Sequence, residues 1–272
     1  MLGSYWESVA IFTGINCLMG ISLYIPMTAG LISLGQGGFM AIGAHVCALL
    51  TKADVPFGLA LCAGGCAAAF AGIIVGTPAL RIRGIYVMIL TLGFGEIVRV
   101  FFGSFEPTGG ASGMGGIRPL TELWQVVVAT GVALLLVWRI RHVRFGRAMI
   151  AVREDDVAAE AMGINLTRTK LLSFSLGALI AGIAGGFYAH QALFIDANQF
   201  DFMRSAVTFL YVILGGAGNP FGPIVGAATV TLVPEMLRVV QDWRMTVFGM
   251  LLVAMAIWRP DGLLPALRSR GR

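Results

Sequence analysis

The stretch RFGRAMIAVREDDVAAEAMGI, residues 144–164, is the only long polar interruption in an otherwise mostly apolar chain. An apolar block precedes it and a second one follows it, so both blocks are predicted to lie in a membrane and to be joined here by a loop. The sequence therefore predicts one membrane domain over residues 1–272, with residues 141–169 as a loop within it.

A short helix of about three turns is predicted at the centre of this stretch. Its acidic residues at 154–156 suit the positive end of a helix dipole, and its alanines favour helix. Gly163 suits the position that follows the last helical turn. The predicted helix consists of Glu154, Asp155, Asp156, Val157, Ala158, Ala159, Glu160, Ala161, Met162, Gly163 and Ile164.

One face of this predicted helix is narrow and apolar. Val157, Ala161 and Ile164 recur at helical spacing, and Ala158 and Met162 flank them. A helix that lies on lipid needs bulky apolar residues and a Lys-rich polar face, whereas this one has an acidic start and mostly small side chains. The pattern therefore favours a groove in another protein as its binding site.

The composition is that of a polytopic membrane protein. Of the 272 residues, 57% are hydrophobic and 12% are charged, and the mean hydropathy is +0.85. A helix needs about 20 apolar residues to cross the hydrocarbon core, which predicts an all-α bundle of about eight to ten spans. The nine candidates are residues 8–26, 30–51, 56–77, 84–103, 122–140, 170–190, 204–216, 222–240 and 245–258.

Three of these candidates have special features. Residues 30–43 are rich in Gly and polar side chains, which suggests a broken or re-entrant helix, and span 204–216 is short. The first apolar run, Val9 to Pro26, follows a segment whose only charge is Glu7. Because a signal peptide has a basic region there, this run is expected to be retained as a span.

The basic residues indicate the orientation. They cluster beside apolar runs, so the net charge of +5 is interpreted as an orientation signal and not as a nucleic-acid surface. The side with thirteen of the nineteen is predicted to be cytoplasmic, together with the polar loop and the C-terminus, and nine spans would place the N-terminus outside. The thirteen are Arg81, Arg83, Arg139, Arg141, Arg144, Arg147, Arg153, Arg168, Lys170, Arg259, Arg268, Arg270 and Arg272.

Small residues recur at every fourth position in three spans and predict close helix packing within one bundle. They are Gly64, Ala68, Gly72 and Gly76, then Ala178, Gly182 and Gly186, then Gly222 and Gly226. The four cysteines also lie in apolar runs, and they are expected to be small buried hydrophobes and not disulfide partners or metal ligands. They are Cys17, Cys47, Cys62 and Cys66.

Two charge pairs are predicted inside the membrane. Glu96 and Arg99, and likewise Glu235 and Arg238, stand three residues apart, so each carboxylate can meet its own arginine on one helix face. Their contexts, GEIVRV and PEMLRV, suggest two related halves of the bundle. A structural role is favoured, and a role in the transport pathway is the alternative.

Sites for catalysis are missing from the sequence. The chain has only two lysines, Lys52 and Lys170, and neither fits a phosphate-binding P-loop. The three histidines are scattered and no HExxH or G-x-S-x-G motif accompanies them. The glycine-rich outer loop, residues 104–121, is expected to have little intrinsic order. A bundle of this kind is predicted to move a solute across the membrane.

Five stretches resemble, in the same order, the inner-membrane permeases of branched-chain amino acid ABC transporters, and together they cover nearly the whole chain. They are GLISLGQGGFMAIGA, YVMILTLGFGEIVRV, TGGASGMGGI, the loop and following helix GRAMIAVREDDVAAEAMGINLTRTKLLSFSLGALIAGIAGGFYA, and ILGGAGNPFGPIVGAATVTLVPEMLR with IWRPDGLLP.

The resemblance implies one transmembrane subunit of a bacterial importer. Its implied partners are a second, similar permease, two cytoplasmic ATPase subunits that bind ATP and Mg²⁺, and a periplasmic substrate-binding protein. The loop helix Glu154 to Ile164 would be the coupling helix, seated in a groove of the ATPase. This chain itself would hold no cofactor.

Alternatives remain open at this stage. Related importers of urea, amides or other amino acids share these motifs, so the solute is less well defined than the class. A different class is a stand-alone ion-coupled carrier or channel that uses Glu96 or Glu235 as a proton site. A membrane-embedded enzyme is disfavoured by the missing nucleophile, base and metal ligands.

Overall fold

The computed structural model describes residues 2–80, 82, 84–236, 249–250, 253 and 262–264. Within these residues the chain is helical, and its β pairing is limited to one bridge between Met114 and Ile195. The helices are α1 Leu2–Thr28, α2 Gln36–Lys52, α3 Phe57–Ala79, α4 Ile85–Ser104, α5 Leu123–His142, α6 Arg144–Glu154, α7 Asp156–Ala161, α8 Leu166–Ala192, α9 Phe202–Gly215 and α10 Gly222–Met236.

The predicted all-α polytopic bundle is confirmed. Eight of the nine candidate spans correspond to α1–α5 and α8–α10. Among the described helices, α1, α3, α4, α5 and α8 are long and apolar enough to cross a membrane. The ninth candidate, residues 245–258, lies almost entirely outside the described residues, as does Arg238.

The predicted irregularity at residues 30–43 is confirmed in part, because α2 begins only at Gln36 and the six residues before it are not helical. Side chains from other helices bind the backbone there. The Leu34 N–H donates to the Thr91 hydroxyl over 2.9 Å, and the Gly37 N–H donates to the Ser205 hydroxyl over 2.9 Å. These bonds satisfy polar backbone groups that lipid could not satisfy.

α8 is the central helix of the bundle. It packs against α1, α2 and α3, and fourteen of its 27 residues are buried. The contacts are so close that a Cβ on Gly43 would lie 2.1 Å from the Gly182 carbonyl oxygen, and one on Gly185 would lie 2.0 Å from the Met40 carbonyl oxygen.

The other small-residue positions pack in the same way. A Cβ on Gly72 would lie 2.8 Å from the Ala178 Cβ, and one on Gly226 would lie 1.9 Å from the Tyr211 carbonyl oxygen. These distances confirm that the small residues serve close packing between helices of this one chain.

The outer faces of α3, α4 and α5 are apolar and exposed. α5 buries only three of its 20 residues, and its exposed face carries Val128, Val132 and Leu135. Cys62 and Cys66 lie on the exposed side of α3, so the expectation that all four cysteines are buried is wrong for these two. In a membrane protein such a surface faces lipid or another subunit, so apolar side chains are stable there without being buried inside this chain.

The glycine-rich outer loop is more structured than expected. Two short 3-10 turns, Glu106–Thr108 and Gly110–Ser112, follow α4, and Met114 then exchanges two backbone hydrogen bonds with Ile195. Met114 is 3% exposed and Ile195 is fully buried. Little intrinsic order was expected of this loop, and the long-range pairing with Ile195 supplies order that the local sequence does not.

Candidate functional site

The polar stretch forms two helices at one end of the bundle. A tight turn after α5 starts α6: a Cβ on Gly146 would lie 2.1 Å from the Ile140 carbonyl oxygen, so only glycine fits there. Met149 and Val152 are buried and hold α6 against the bundle. Arg141, near the end of α5, links that helix to its neighbours, because its Nη1 lies 3.2 Å from the Tyr24 hydroxyl and 3.4 Å from the Gly218 carbonyl oxygen.

The predicted helix from Glu154 to Ile164 is shorter than expected. Glu154 is the last residue of α6, and the new helix, α7, covers only Asp156–Ala161. The helical conformation is interrupted at Asp155, whose carboxylate accepts hydrogen bonds from the Val157 and Ala158 N–H groups over 2.8 and 3.0 Å. Asp155 is thus the N-cap of α7, a role that competes with continuing the preceding helix.

The end of α7 is as predicted. The Gly163 N–H donates to the Glu160 carbonyl and the Ile164 N–H donates to the Ala159 carbonyl, over 2.9 and 3.1 Å. This pair of bonds is the Schellman motif, in which the residue after the helix has a left-handed backbone. Gly163 has that conformation, with φ of +81°.

α7 contacts the bundle through few side chains, and most of its surface is uncovered. Ala159 is 4% exposed and is the residue that faces inward. Val157 and Met162 are 70% and 84% exposed, and Ala158 and Ala161 are also exposed. The predicted apolar stripe therefore exists, and within the described residues most of it has nothing packed on it.

An ion pair ties α7 to the central helix. The Lys170 Nζ lies 2.8 Å from each carboxylate oxygen of Asp156, and the two side chains are 17% and 28% exposed. Lys170 stands in the second turn of α8, so this short helix is linked directly to the central helix of the bundle. Sequence reasoning missed the pair because its members lie fourteen residues apart and no periodicity connects them.

A cavity of about 570 Å³ lies behind this ion pair. It separates α7 and the start of α8 from the neighbouring ends of α3 and α4. Its lining is Gly30, Leu31, Ile32, Leu80, Ile82, Gly84, Ile85, Val87, Met88, Asp156, Leu166, Thr167 and Lys170. Of the α7 residues, Asp156 is the one that lines this cavity.

The first predicted charge pair is present. The Arg99 Nε lies 2.7 Å from the Glu96 Oε2, and the Arg99 Nη1 donates to the Asn198 Oδ1 over 2.9 Å. Glu235 accepts a hydrogen bond from the Tyr5 hydroxyl. Its predicted partner Arg238 lies outside the described residues. No group of three or more His, Cys, Asp or Glu side chains within the described ranges is close enough to hold a metal ion.

Comparison with known proteins gives relatives along nearly the whole chain. The high-affinity branched-chain amino acid transport permeases LivM of Salmonella typhimurium and of Escherichia coli are each 36% identical to it, over 96% of this chain and 70% of their own length. The ribose import permease RbsC of Escherichia coli is 25% identical over 79% of this chain and 72% of its own length. No solved structure matches the chain.

The family model described as branched-chain amino acid transport system / permease component matches residues 5–256. That range includes every described helix except the first residues of α1. The chain therefore belongs to the family of permease components of branched-chain amino acid transport systems.

Proposed function

We propose that this chain is a transmembrane permease subunit of an ABC importer that moves branched-chain or similar small amino acids inward. The observation that carries the proposal is 36% identity over 96% of the chain to two LivM permeases. The chain works as a transport subunit, and ATP hydrolysis on separate subunits, which bind ATP and Mg²⁺, drives the movement.

The segment Glu154 to Ile164 is the part that receives force from the ATPase. Its exposed apolar face, with Val157 and Met162 uncovered, supports a groove in a partner protein as its seat. The short ion pair between Asp156 and Lys170 supports transmission of movement from α7 to α8. ATPase closure would then tilt the bundle between inward-open and outward-open states.

The remaining partners and the topology follow from the same proposal. A second, homologous permease completes the membrane part, two cytoplasmic ATPase subunits bind the α7 side, and a periplasmic substrate-binding protein delivers the solute. The chain crosses the bacterial inner membrane several times, with α6, α7 and the C-terminus in the cytoplasm. The predicted cluster of thirteen basic residues on that side supports this orientation.

Other solutes and another class remain as competitors. Relatives at 25% identity include a ribose permease, so the family scaffold accepts different solutes and urea, amides or other amino acids are the alternatives. A stand-alone ion-coupled carrier or channel would use Glu96 or Glu235 as a proton site. The 2.7 Å ion pair of Glu96 with Arg99 favours a structural role for Glu96, because its carboxylate already has a charged partner on the same helix.

Reconstitution tests the proposal. The chain is co-purified with its second permease and ATPase, placed in proteoliposomes, and supplied with the binding protein and radiolabelled leucine. We expect uptake that requires ATP and the loaded binding protein and that persists when a protonophore removes the proton gradient. Uptake by this chain alone, driven by a proton gradient, would support the carrier and contradict the importer.

A further inference from the structure

The cavity of about 570 Å³ beside the ion pair of Asp156 and Lys170 has the size and lining of a small-molecule site. Ligand pockets in proteins have volumes of about 300–1,000 Å³, and their walls are mostly apolar with a few polar groups. Eight of the thirteen residues that line this cavity have aliphatic or methionine side chains, and Asp156 and Lys170 are the two that carry charge. The lining thus combines an apolar wall with one pair of opposite charges.

Both charged side chains border the open space and have capacity for further polar contacts. The Lys170 side chain is 17% exposed and the Asp156 side chain is 28% exposed. The Lys170 ammonium has three N–H donors, and its hydrogen bond to the Asp156 Oδ2 uses one of them. The Asp156 Oδ1 lies 2.8 Å from the same nitrogen, but it accepts no hydrogen bond from the described residues. The ion pair therefore offers a donor and an acceptor to a ligand in the cavity.

A zwitterionic amino acid with an aliphatic side chain is the chemical complement of this lining. Its carboxylate would accept a hydrogen bond from Lys170, and its ammonium would donate one to the Asp156 carboxylate. Its side chain would contact the apolar wall, which includes Leu31, Ile85 and Met88. A ligand with only a carboxylate would be repelled by Asp156, and a ligand with only an ammonium would be repelled by Lys170.

The cavity lies where several elements of the bundle meet. Asp156 of α7 and Lys170 of α8 are on one side, and Leu80 and Ile85, at the neighbouring ends of α3 and α4, are on the other. The non-helical residues 30–32 before α2 complete the lining. A ligand that contacts all of these elements holds them together, and it favours whichever state of the bundle keeps them close.

We propose that this cavity is a cytoplasmic feedback site, in which an imported aliphatic amino acid binds Asp156 and Lys170 and slows further import. This inference rests on the proposed function, which supplies both the ligand and the side of the membrane on which it accumulates. The bound amino acid holds α7 and α8 against the ends of α3 and α4. Closure of the ATPase must then work against that contact to move the bundle.

The first test measures occupancy of the cavity without transport. Met88→Cys is made in a chain whose four native cysteines are alanine, and the complex with the second permease and the ATPase is labelled with a fluorescent maleimide without ATP or binding protein. We expect saturating leucine to slow labelling at least about fivefold, because the ligand covers the thiol. Leucinol and isocaproate each lack one of the two charges and should not slow it. Val157→Cys, on the uncovered face of α7, is the matched control and should react equally with and without leucine.

The second test measures regulation in proteoliposomes. Unlabelled leucine and ATP are enclosed on the side of the ATPase, and the binding protein with radiolabelled leucine is supplied on the other side. We expect enclosed leucine to lower the initial rates of uptake and ATP hydrolysis about fivefold, the low end of the usual coupling between two sites. Enclosed leucinol or isocaproate should leave both rates unchanged.

A variant that fills the cavity connects the two tests. Met88→Trp occupies part of the space and leaves both charges in place. Each variant is compared with its own rate without enclosed leucine, so a change in the basal rate does not affect the ratio. We expect the inhibition to disappear in Met88→Trp and to persist in the control Val132→Trp, which lies on the exposed face of α5. The labelling of Met88→Cys decides the question if Met88→Trp does not fold.

The outcomes separate this inference from the proposed function. ATP-driven uptake by the unaltered complex with no slowing of Met88→Cys labelling contradicts the feedback site alone, as does slowing without inhibition of uptake. Equal slowing by leucinol or isocaproate, or full inhibition in Met88→Trp, would also overturn it. Absence of ATP-driven uptake in the unaltered complex contradicts the importer. Slowing by leucine alone, with inhibition that Met88→Trp removes, supports both.

Discussion

α7 and α8 follow one another along the chain and are packed in opposite ways. α8 is held on several sides by α1, α2 and α3, with carbonyl oxygens so near its glycines that no side chain fits. α7 rests on the bundle through Ala159 and one ion pair, and its outward side chains are uncovered. The contrast indicates that contacts within this chain fix the position of α8, whereas the uncovered side of α7 is available to a second protein.

The largest effect is expected where α2 and α8 are closest. Gly43→Val would place a branched side chain into the backbone of Gly182, which cannot move without shifting the whole helix. We expect a loss of at least about 4 kcal/mol and little folded protein, because overlap with backbone is among the most damaging changes. The measurement is the yield of monodisperse protein by gel filtration in detergent.

Gly131→Val is the matched control for this experiment. Gly131 lies on α5 with open space around its Cα, so the same change should leave the yield nearly unaltered. A normal yield of Gly43→Val would mean that the α2–α8 contact is looser than described. The contrast between α8, which is fixed by contacts within this chain, and α7, which is not, would then no longer hold for α8.

The second effect concerns the uncovered face of α7. Ala161→Trp and Glu160→Arg change the size or the charge of exposed positions, so folding should be preserved while the fit to an ATPase groove is lost. We expect uptake and solute-stimulated ATP hydrolysis to fall more than tenfold with a normal gel-filtration profile. Val132→Trp on the exposed face of α5 is the control and should transport normally. Normal transport by both α7 variants would exclude α7 as the coupling helix.

The sequence predicted the elements whose signals are local. Apolar runs located eight of the helices, spacing paired Glu96 with Arg99, and Gly163 correctly located the end of α7. It did not predict features that depend on distant contacts. The order of the outer loop comes from Met114 and Ile195, which are eighty-one residues apart.

The start of α7 was misplaced for a different reason. Asp155 is compatible both with the first turn of a helix and with an N-cap. As an N-cap it precedes the helix, so α7 begins only at Asp156. The sequence pattern assigned the face around Val157 to a groove in another protein, and the structure leaves Val157 uncovered. It did not predict that Ala159 is the inward residue or that Asp156 pairs with Lys170.

A third, smaller effect is expected at that ion pair. Asp156→Asn and Lys170→Met each remove one charge from a half-buried pair, which should weaken the link between α7 and α8. We expect the solute moved per ATP hydrolysed to fall about threefold in each variant, because a partly exposed ion pair contributes less than about 1 kcal/mol. Exchange of the two charges, Asp156→Lys with Lys170→Asp, should restore part of the loss.

The charge exchange distinguishes a mechanical link from local packing. Full coupling in both single variants would show that α7 moves α8 without the ion pair. Equal loss in the single and exchanged variants would assign the effect to the shape of the site and not to the attraction between the charges.

The smallest effect is expected at the start of α7. Asp155→Ala removes the N-cap, which contributes about 1 kcal/mol to a helix of only six residues. Hydrogen exchange at the Val157 and Ala158 amides should speed up about fivefold, because their acceptor is lost. Asp155→Asn keeps an acceptor oxygen and should exchange nearly as the unaltered chain does. Hydrogen exchange in α8 should stay slow in both variants, because its burial depends on α1, α2 and α3 and not on α7. Faster exchange in α8 would show that α7 and α8 unfold together. That result would contradict the conclusion that α8 is held independently of α7.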